Sequence, residues 1–169
     1  MRVVAYIDNC LIGPNLDQDL TEKGALEEIK TLTGSRGDEF ILQTSNRTAN
    51  EYEQWQDEAG REAMRQDHAT KGRVNRDHTV KGFFSLWDQY GGGGCFPMVA
   101  DVPNEDVYAE LRALGIQDMD AEHIAIAIHN QCDHFLTRDK KILNRRHVLH
   151  LRFPSIKIMR PSELLASLR

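Results

Sequence analysis

The sequence predicts an α/β fold, a three-layer α/β/α sandwich built on a central, mainly parallel sheet. Three observations carry this. Short apolar runs alternate with helical patterns from one end of the chain to the other. The runs are continuous, as strands covered on both faces require, and acids stand at the ends of two of them. With 169 residues, 40% of them hydrophobic, the chain is long enough for one core and short for two, so a single domain over 1–169 is expected.

Val3 to Ile7 reads as the first strand, followed at once by Asp8 and then by a turn at Gly13-Pro14-Asn15. Thr21 to Leu32 reads as a surface helix with Leu26 and Ile29 inward, and Gly34 as its stop. Glu39 to Thr44 is the second strand. Ser45 and Thr48 offer N-caps for a polar helix from Ala49 to about Gln66, with Tyr52, Trp55 and Ala59 as its narrow apolar stripe. Asp67 to Lys81 is rich in His, Arg and Lys and reads as exposed loop. Gly91 to Gly94 is read as a hinge, because no helix N-terminus follows to hold a phosphate. Residues 53–102 thus read as a helical and irregular insertion.

Beyond it, Asn104 caps a helix from Glu105 to Leu114 with Gly115 as its stop. A helix opening at Asp118 offers Ala121, Ile124, Ala125 and Ile128 for packing. Asp133 to Thr137 is a strand, Lys140 to Arg145 a short basic helix, Ile156 to Met159 the last strand, and Pro161 opens the final helix.

The formal net charge is −5 and no apolar run approaches the length of a membrane span. Met1-Arg2 leads straight into a strand without a secretory pattern, and Cys10, Cys95 and Cys132 form no CxxC spacing. A reducing, cytoplasmic setting is expected. Charge is unevenly spread. Between Arg138 and Arg160 the cations Arg138, Lys140, Lys141, Arg145, Arg146, Arg152, Lys157 and Arg160 face Asp139 alone, a density suited to phosphates or to a solvated helix face.

Asp8 and Asp139 follow strands, and Asp120 heads a helix. In a parallel sheet these acids gather at the carboxyl ends, where open α/β sheets build their crevices. Carboxylates about 4 Å apart repel by on the order of 4 kcal/mol at an effective dielectric near 20. A hard divalent cation relieves that, and Mg²⁺ suits a site of few carboxylates, with Mn²⁺ substituting. Such an ion activates water for attack on a phosphodiester. Asp118 is a further ligand or supporting acid. Asn9 and Thr137 are placed to orient Asp8 and Asp139 or to touch phosphate, and Arg138, Lys140 and Lys141 to bind the substrate backbone.

Four segments in order, YIDNCLI, DAEHIAIA, FLTRDKKIL and IKIMRPSELL, resemble PIN domains, a fold of metal-dependent ribonucleases that includes toxins of bacterial toxin–antitoxin pairs. The resemblance covers both ends of the chain and leaves roughly Glu53 to Val102 unmatched. It implies a Mg²⁺/Mn²⁺-dependent endoribonuclease on single-stranded or structured RNA. Its catalytic acids would be Asp8, Asp120, Asp139 and a glutamate after the second strand, Glu51 in preference to Glu53. Its partners would be RNA and a protein, an antitoxin or a second copy of the chain.

Each acid has an ordinary reading as well: Asp8 in an Asx turn, Asp118 or Asp120 as a helix cap, Asp139 as cap of the next helix, Glu51 as a solvent-facing residue. His123, one turn after Asp120, reads as packed or hydrogen-bonded near the site. His129, Cys132 and His134 lack the second half of a zinc site. The rival functions are a non-catalytic binding protein of the same fold, docking through Trp55, Phe83, Phe84 and Trp87, and an aspartyl-phosphate enzyme. The latter wants an Asp two residues after Asp8, where Cys10 stands. No nucleophile elbow or Walker loop is present.

Overall fold

The computed structural model describes residues 3–36, 40–45, 47–74, 84–85, 95–96 and 105–168. Its five-stranded sheet is formed by β1 (Val3–Ile7), β2 (Phe40–Thr44), β3 (Gly72–Arg73), β6 (His134–Leu136) and β7 (Lys157–Met159). All four pairings are parallel, in the order β3-β2-β1-β6-β7. A separate antiparallel pair joins β4 (Phe84–Ser85) to β5 (Cys95–Phe96). The chain moves outward from β1 through β2 to β3, then returns to the other side of β1. The order therefore reverses between β1 and β6, and the carboxyl ends of those two strands flank the crevice where doubly wound sheets bind ligands.

Alternation along the strands divides the apolar residues between two clusters. Tyr6, Phe135 and Ile158 pack with α4 (Glu105–Ala113), through Leu111, and with Ile124, Ala125 and Ala127 of α5 (Asp118–His129). Ala5, Ile7, Phe40 and Leu136 pack with Leu26 and Ile29 of α1 (Leu20–Arg36) and with Leu164 and Leu165 of α8 (Pro161–Leu168). In α5 every residue from Ala121 to Ala127 is buried, the mark of a helix enclosed on all sides.

Several boundaries differ from the sequence reading. Helix α1 continues through Gly34 to Arg36; a glycine inside a helix costs only about 1 kcal/mol relative to alanine. The single helix expected from Ala49 to Gln66 is two, α2 (Arg47–Tyr52) and α3 (Glu58–Ala69). The break lets both pack: Tyr52 lies edge-on to His68 with ring centroids 5.5 Å apart, and the Arg65 guanidinium grips both oxygens of Glu53. Thr48 falls inside α2 and turns its hydroxyl to Thr44, 3.3 Å away, instead of capping.

The segment from Asp67 to Lys81 is not all loop. Its start completes α3, Gly72 and Arg73 add β3 beside β2, and Val74 is buried. Asp67 accepts from Gly13 N at 2.8 Å and pairs with Lys71, anchoring this region to the turn after β1. Of the expected insertion at 53–102, residues 53–74 thus contribute α3 and an edge strand. The glycine run 91–94, Phe83 and Trp87 lie outside the described residues.

After β6 come α6 (Lys140–Leu143) and a helix absent from the sequence reading, α7 (Arg146–Arg152). Its basic residues obscure a simple anchor, Leu149 and Phe153, four apart and both buried. Among the described residues no helix is long and apolar enough to cross a membrane.

Candidate functional site

The carboxyl ends of β1 and β6 bring Asp8 and Thr137 together. Asp8 N donates to Leu136 O at 3.0 Å and Thr137 N to Met159 O at 3.1 Å, so both residues continue the ladder by one step. Asp8 is 4% exposed. Its Oδ2 accepts from Thr137 Oγ1 at 2.6 Å and from Cys10 Sγ at 3.1 Å, and its Oδ1 accepts from Asn9 N at 2.8 Å. Thr137 Oγ1 in turn accepts from Asp139 N at 3.0 Å. One buried hydroxyl thus fixes the carboxylate after β1 to the backbone of the acid after β6. Asp139 also caps α6, its Oδ1 accepting from Lys141 N at 2.6 Å.

Asp120 projects from the first turn of α5 toward the same place. Burial pushes its pKa up, and the negative charges of Asp8, Asp139 and Glu51 push it further, from an ordinary 3.8 to about 6, against the opposing pull of His123. Asp120 therefore feels the charge of the acids at positions 8, 51 and 139. Asp118 lies in the same helical turn, and its carboxylate accepts from the Tyr108 hydroxyl of α4.

Glu51 is held by Asn9 Nδ2 and by His123 Nε2. Burial raises its pKa, but His123, Asn9 and the charge of Arg47 outweigh that and hold it below the ordinary value. Glu53 lies on the surface with Arg65. His123 is wholly enclosed; burial lowers its pKa, while Glu51, Asp8 and Asp120 raise it more, for a net rise. Its Nδ1 lies 2.6 Å from Tyr6 Oη, which donates to Ser45 Oγ at 2.6 Å. With both ring nitrogens protonated the chain is consistent, His123 donating to Glu51 and to Tyr6.

Asn9 Oδ1 is buried and has no hydrogen-bond partner. Since the amide nitrogen must face Glu51, the orphaned atom is the acceptor. An unpaired buried acceptor beside several carboxylates suits a cation or its water, and asks for one or the other. The donor set, all oxygen, is that of Mg²⁺ or Mn²⁺. Among the described residues, however, no group of three or more His, Cys, Asp and Glu side chains is already gathered as metal ligands are, at this site or at His129, Cys132 and His134.

The basic segment divides in two. Arg146 pairs with Glu163, Arg152 with Glu110, and Arg160 lies 3.8 Å from Glu22. Arg138, Lys140, Lys141 and Arg145, the members nearest Asp139 in sequence, form no ion pair among the described residues. Arg138 N donates to Cys10 Sγ at 3.3 Å, which places Arg138 at the rim of the acidic cluster.

The Tyr6–His123–Glu51 chain and the Cys10 contacts escaped the sequence reading. The signal for Tyr6 was its place two residues before Asp8 on the same strand, where it read only as part of that strand. Comparisons with family models, with curated proteins and with solved structures found no match to this chain.

Proposed function

We propose that the protein is a Mg²⁺/Mn²⁺-dependent endoribonuclease with a three-layer, PIN-like arrangement, cutting phosphodiester bonds in single-stranded or structured RNA. The observation that carries this reading is geometric: the single Thr137 hydroxyl ties Asp8 to the backbone of Asp139 at the carboxyl ends of β1 and β6, the sheet's switch point, with the orphaned acceptor Asn9 Oδ1 beside them.

Asp8, Asp120 and Asp139 would hold the ion, with the orphaned Asn9 Oδ1 accepting from one of its waters. Such an ion, when bound, supplies activation of water and neutralisation of charge on the phosphate. Thr137 keeps Asp8 and Asp139 in register through one hydroxyl. Glu51, braced by His123 and Asn9, stays ionised near neutral pH and is the group available to accept a proton from the attacking water. Arg138, Lys140 and Lys141 neutralise neighbouring phosphates. Carboxylates without an ion repel one another and stand apart, so closing around the metal is part of the reading.

The test is cleavage of labelled single-stranded RNA with and without Mn²⁺, beside Asp8→Asn and Asp139→Asn. Cutting that needs Mn²⁺ and disappears in both variants is the expected result. A second reading, a non-catalytic RNA- or protein-binding member of the same fold, is favoured by the lack of a ready ligand group among the described residues. It predicts no cleavage and no calorimetric Mn²⁺ binding. A toxin role adds growth arrest on expression, relieved by a cognate protein.

A further inference from the structure

Between the start of α5 and α6 lies a cavity of about 430 Å³ with Asp120 in its wall. We propose that it binds one nucleotide, phosphate and base together: the nucleotide flanking the scissile bond. The assignment rests on the nuclease reading and specifies where its substrate sits.

Lys141 and Arg145 line the cavity together with Asp120, so it runs from one member of the acidic cluster to two cations that have no carboxylate partner among the described residues. Arg145 is exposed and tethered at one end of its guanidinium. Its Nη1 donates to Leu114 O, and its guanidinium lies so close over Gly115 that a Cβ there would come within 2.9 Å of Nη1. Gly115 has a φ of +76°, which glycine adopts without strain. A guanidinium held before its ligand arrives loses less freedom on binding, and it suits phosphate because it offers several donors in one plane.

A phosphate alone would need only the cations. The cavity also presents the amides of Gln117 and Asn144 beside the buried Ile116 and Ile142, the mix of apolar wall and few polar groups found in sites for small organic ligands. Its volume, against roughly 300–1,000 Å³ for such sites, admits one nucleotide and excludes a duplex.

The test reads binding without cleavage. Uridine 5′-monophosphate, adenosine 5′-monophosphate and inorganic phosphate are titrated separately into the full chain in metal-free buffer, following backbone amide resonances by NMR. The amides of Gly115, Ile116 and Asn144 should shift and saturate with a nucleotide, and inorganic phosphate should bind at least about tenfold more weakly, a difference of about 1.4 kcal/mol. Lys141→Gln and Arg145→Gln should each raise the dissociation constant about fivefold or more, as loss of a charge-assisted hydrogen bond implies. Arg145→Gln also loosens the loop at Gly115. Lys141, whose side chain makes no hydrogen bond among the described residues, keeps the test independent of that. Unmoved amides, shifts indifferent to both variants, or phosphate binding as tightly as nucleotide would overturn the proposal. A chain that cuts no RNA yet binds a nucleotide here loses the nuclease and keeps the pocket; a Mn²⁺-dependent nuclease with unmoved amides does the reverse.

Discussion

Asp120 makes the metal-free protein less stable as pH rises, and the size of the effect follows from its surroundings. Its folded-state pKa, about 6, lies above the ordinary 3.8. Between those values the folded chain binds more protons than the unfolded one, so stability falls with increasing pH and the full penalty is present above pH 6. For a fully buried group the gap would correspond to about 3 kcal/mol. Asp120 is only part-buried, and solvent screening brings the expected penalty to roughly 1–2 kcal/mol. The assay is urea unfolding with a chelator present, from about pH 4.5 to about pH 7.5, on the native chain and on Asp120→Asn. Glu51, Asp67 and Glu163, all held below their ordinary values, tilt both curves the opposite way. The difference between the two proteins reports Asp120 together with its part in raising the pKa of His123, and both act in one direction: the variant gains stability relative to the native chain as pH rises. Parallel curves would refute the reasoning. Mn²⁺ should cancel the penalty, and at about one hundred times its dissociation constant should add about 2.7 kcal/mol to the native chain.

Thr137→Val keeps shape but removes the hydroxyl that donates to Asp8 and accepts from Asp139 N. Losing both is expected to cost about 2–4 kcal/mol in denaturant unfolding and to weaken Mn²⁺ binding by calorimetry. Away from the site, Glu22 is buried on α1 and accepts from Ser162 N at 2.9 Å and Ser162 Oγ at 2.7 Å at the start of α8. Glu22→Ala strands both donors and should cost about 2–3 kcal/mol, whereas Ser162→Ala, losing one bond, should cost about 1 kcal/mol.

The strands that build the crevice were legible because β1, β2 and β6 carry unbroken apolar runs, and a run bounded by turn residues has few other readings. Strand β3 was not, since Gly72-Arg73 has no hydrophobic pattern and exists as a strand only because β2 offers an open edge. Helix α7 was hidden by its cations. At the candidate site, strand ends located Asp8 and Asp139, and the head of a helix located Asp120. Capping and convergence were offered as competing readings of Asp139, yet it caps α6 with one oxygen while its charge acts on Asp120. What sequence could not carry was partnership across long separations. That Asn9 and His123 grip Glu51, or that Arg145 lies over Gly115, depends on how helices distant in sequence seat against the sheet and one another, which no local pattern records.

The pairing of β1 with β6 joins residues about 130 positions apart, with Val4 N bonded to Asp133 Oδ2 at 2.7 Å and Asp8 N to Leu136 O. During synthesis the first strand can pair early with β2, but it must wait for about 130 further residues before its other neighbour, β6, exists. Asp8 and Asp139 are brought together only then, so a chain that ends before β6 carries Asp8, Glu51 and Asp120 without Asp139. Asp139 is thus withheld from the other acids until β6 seats against β1.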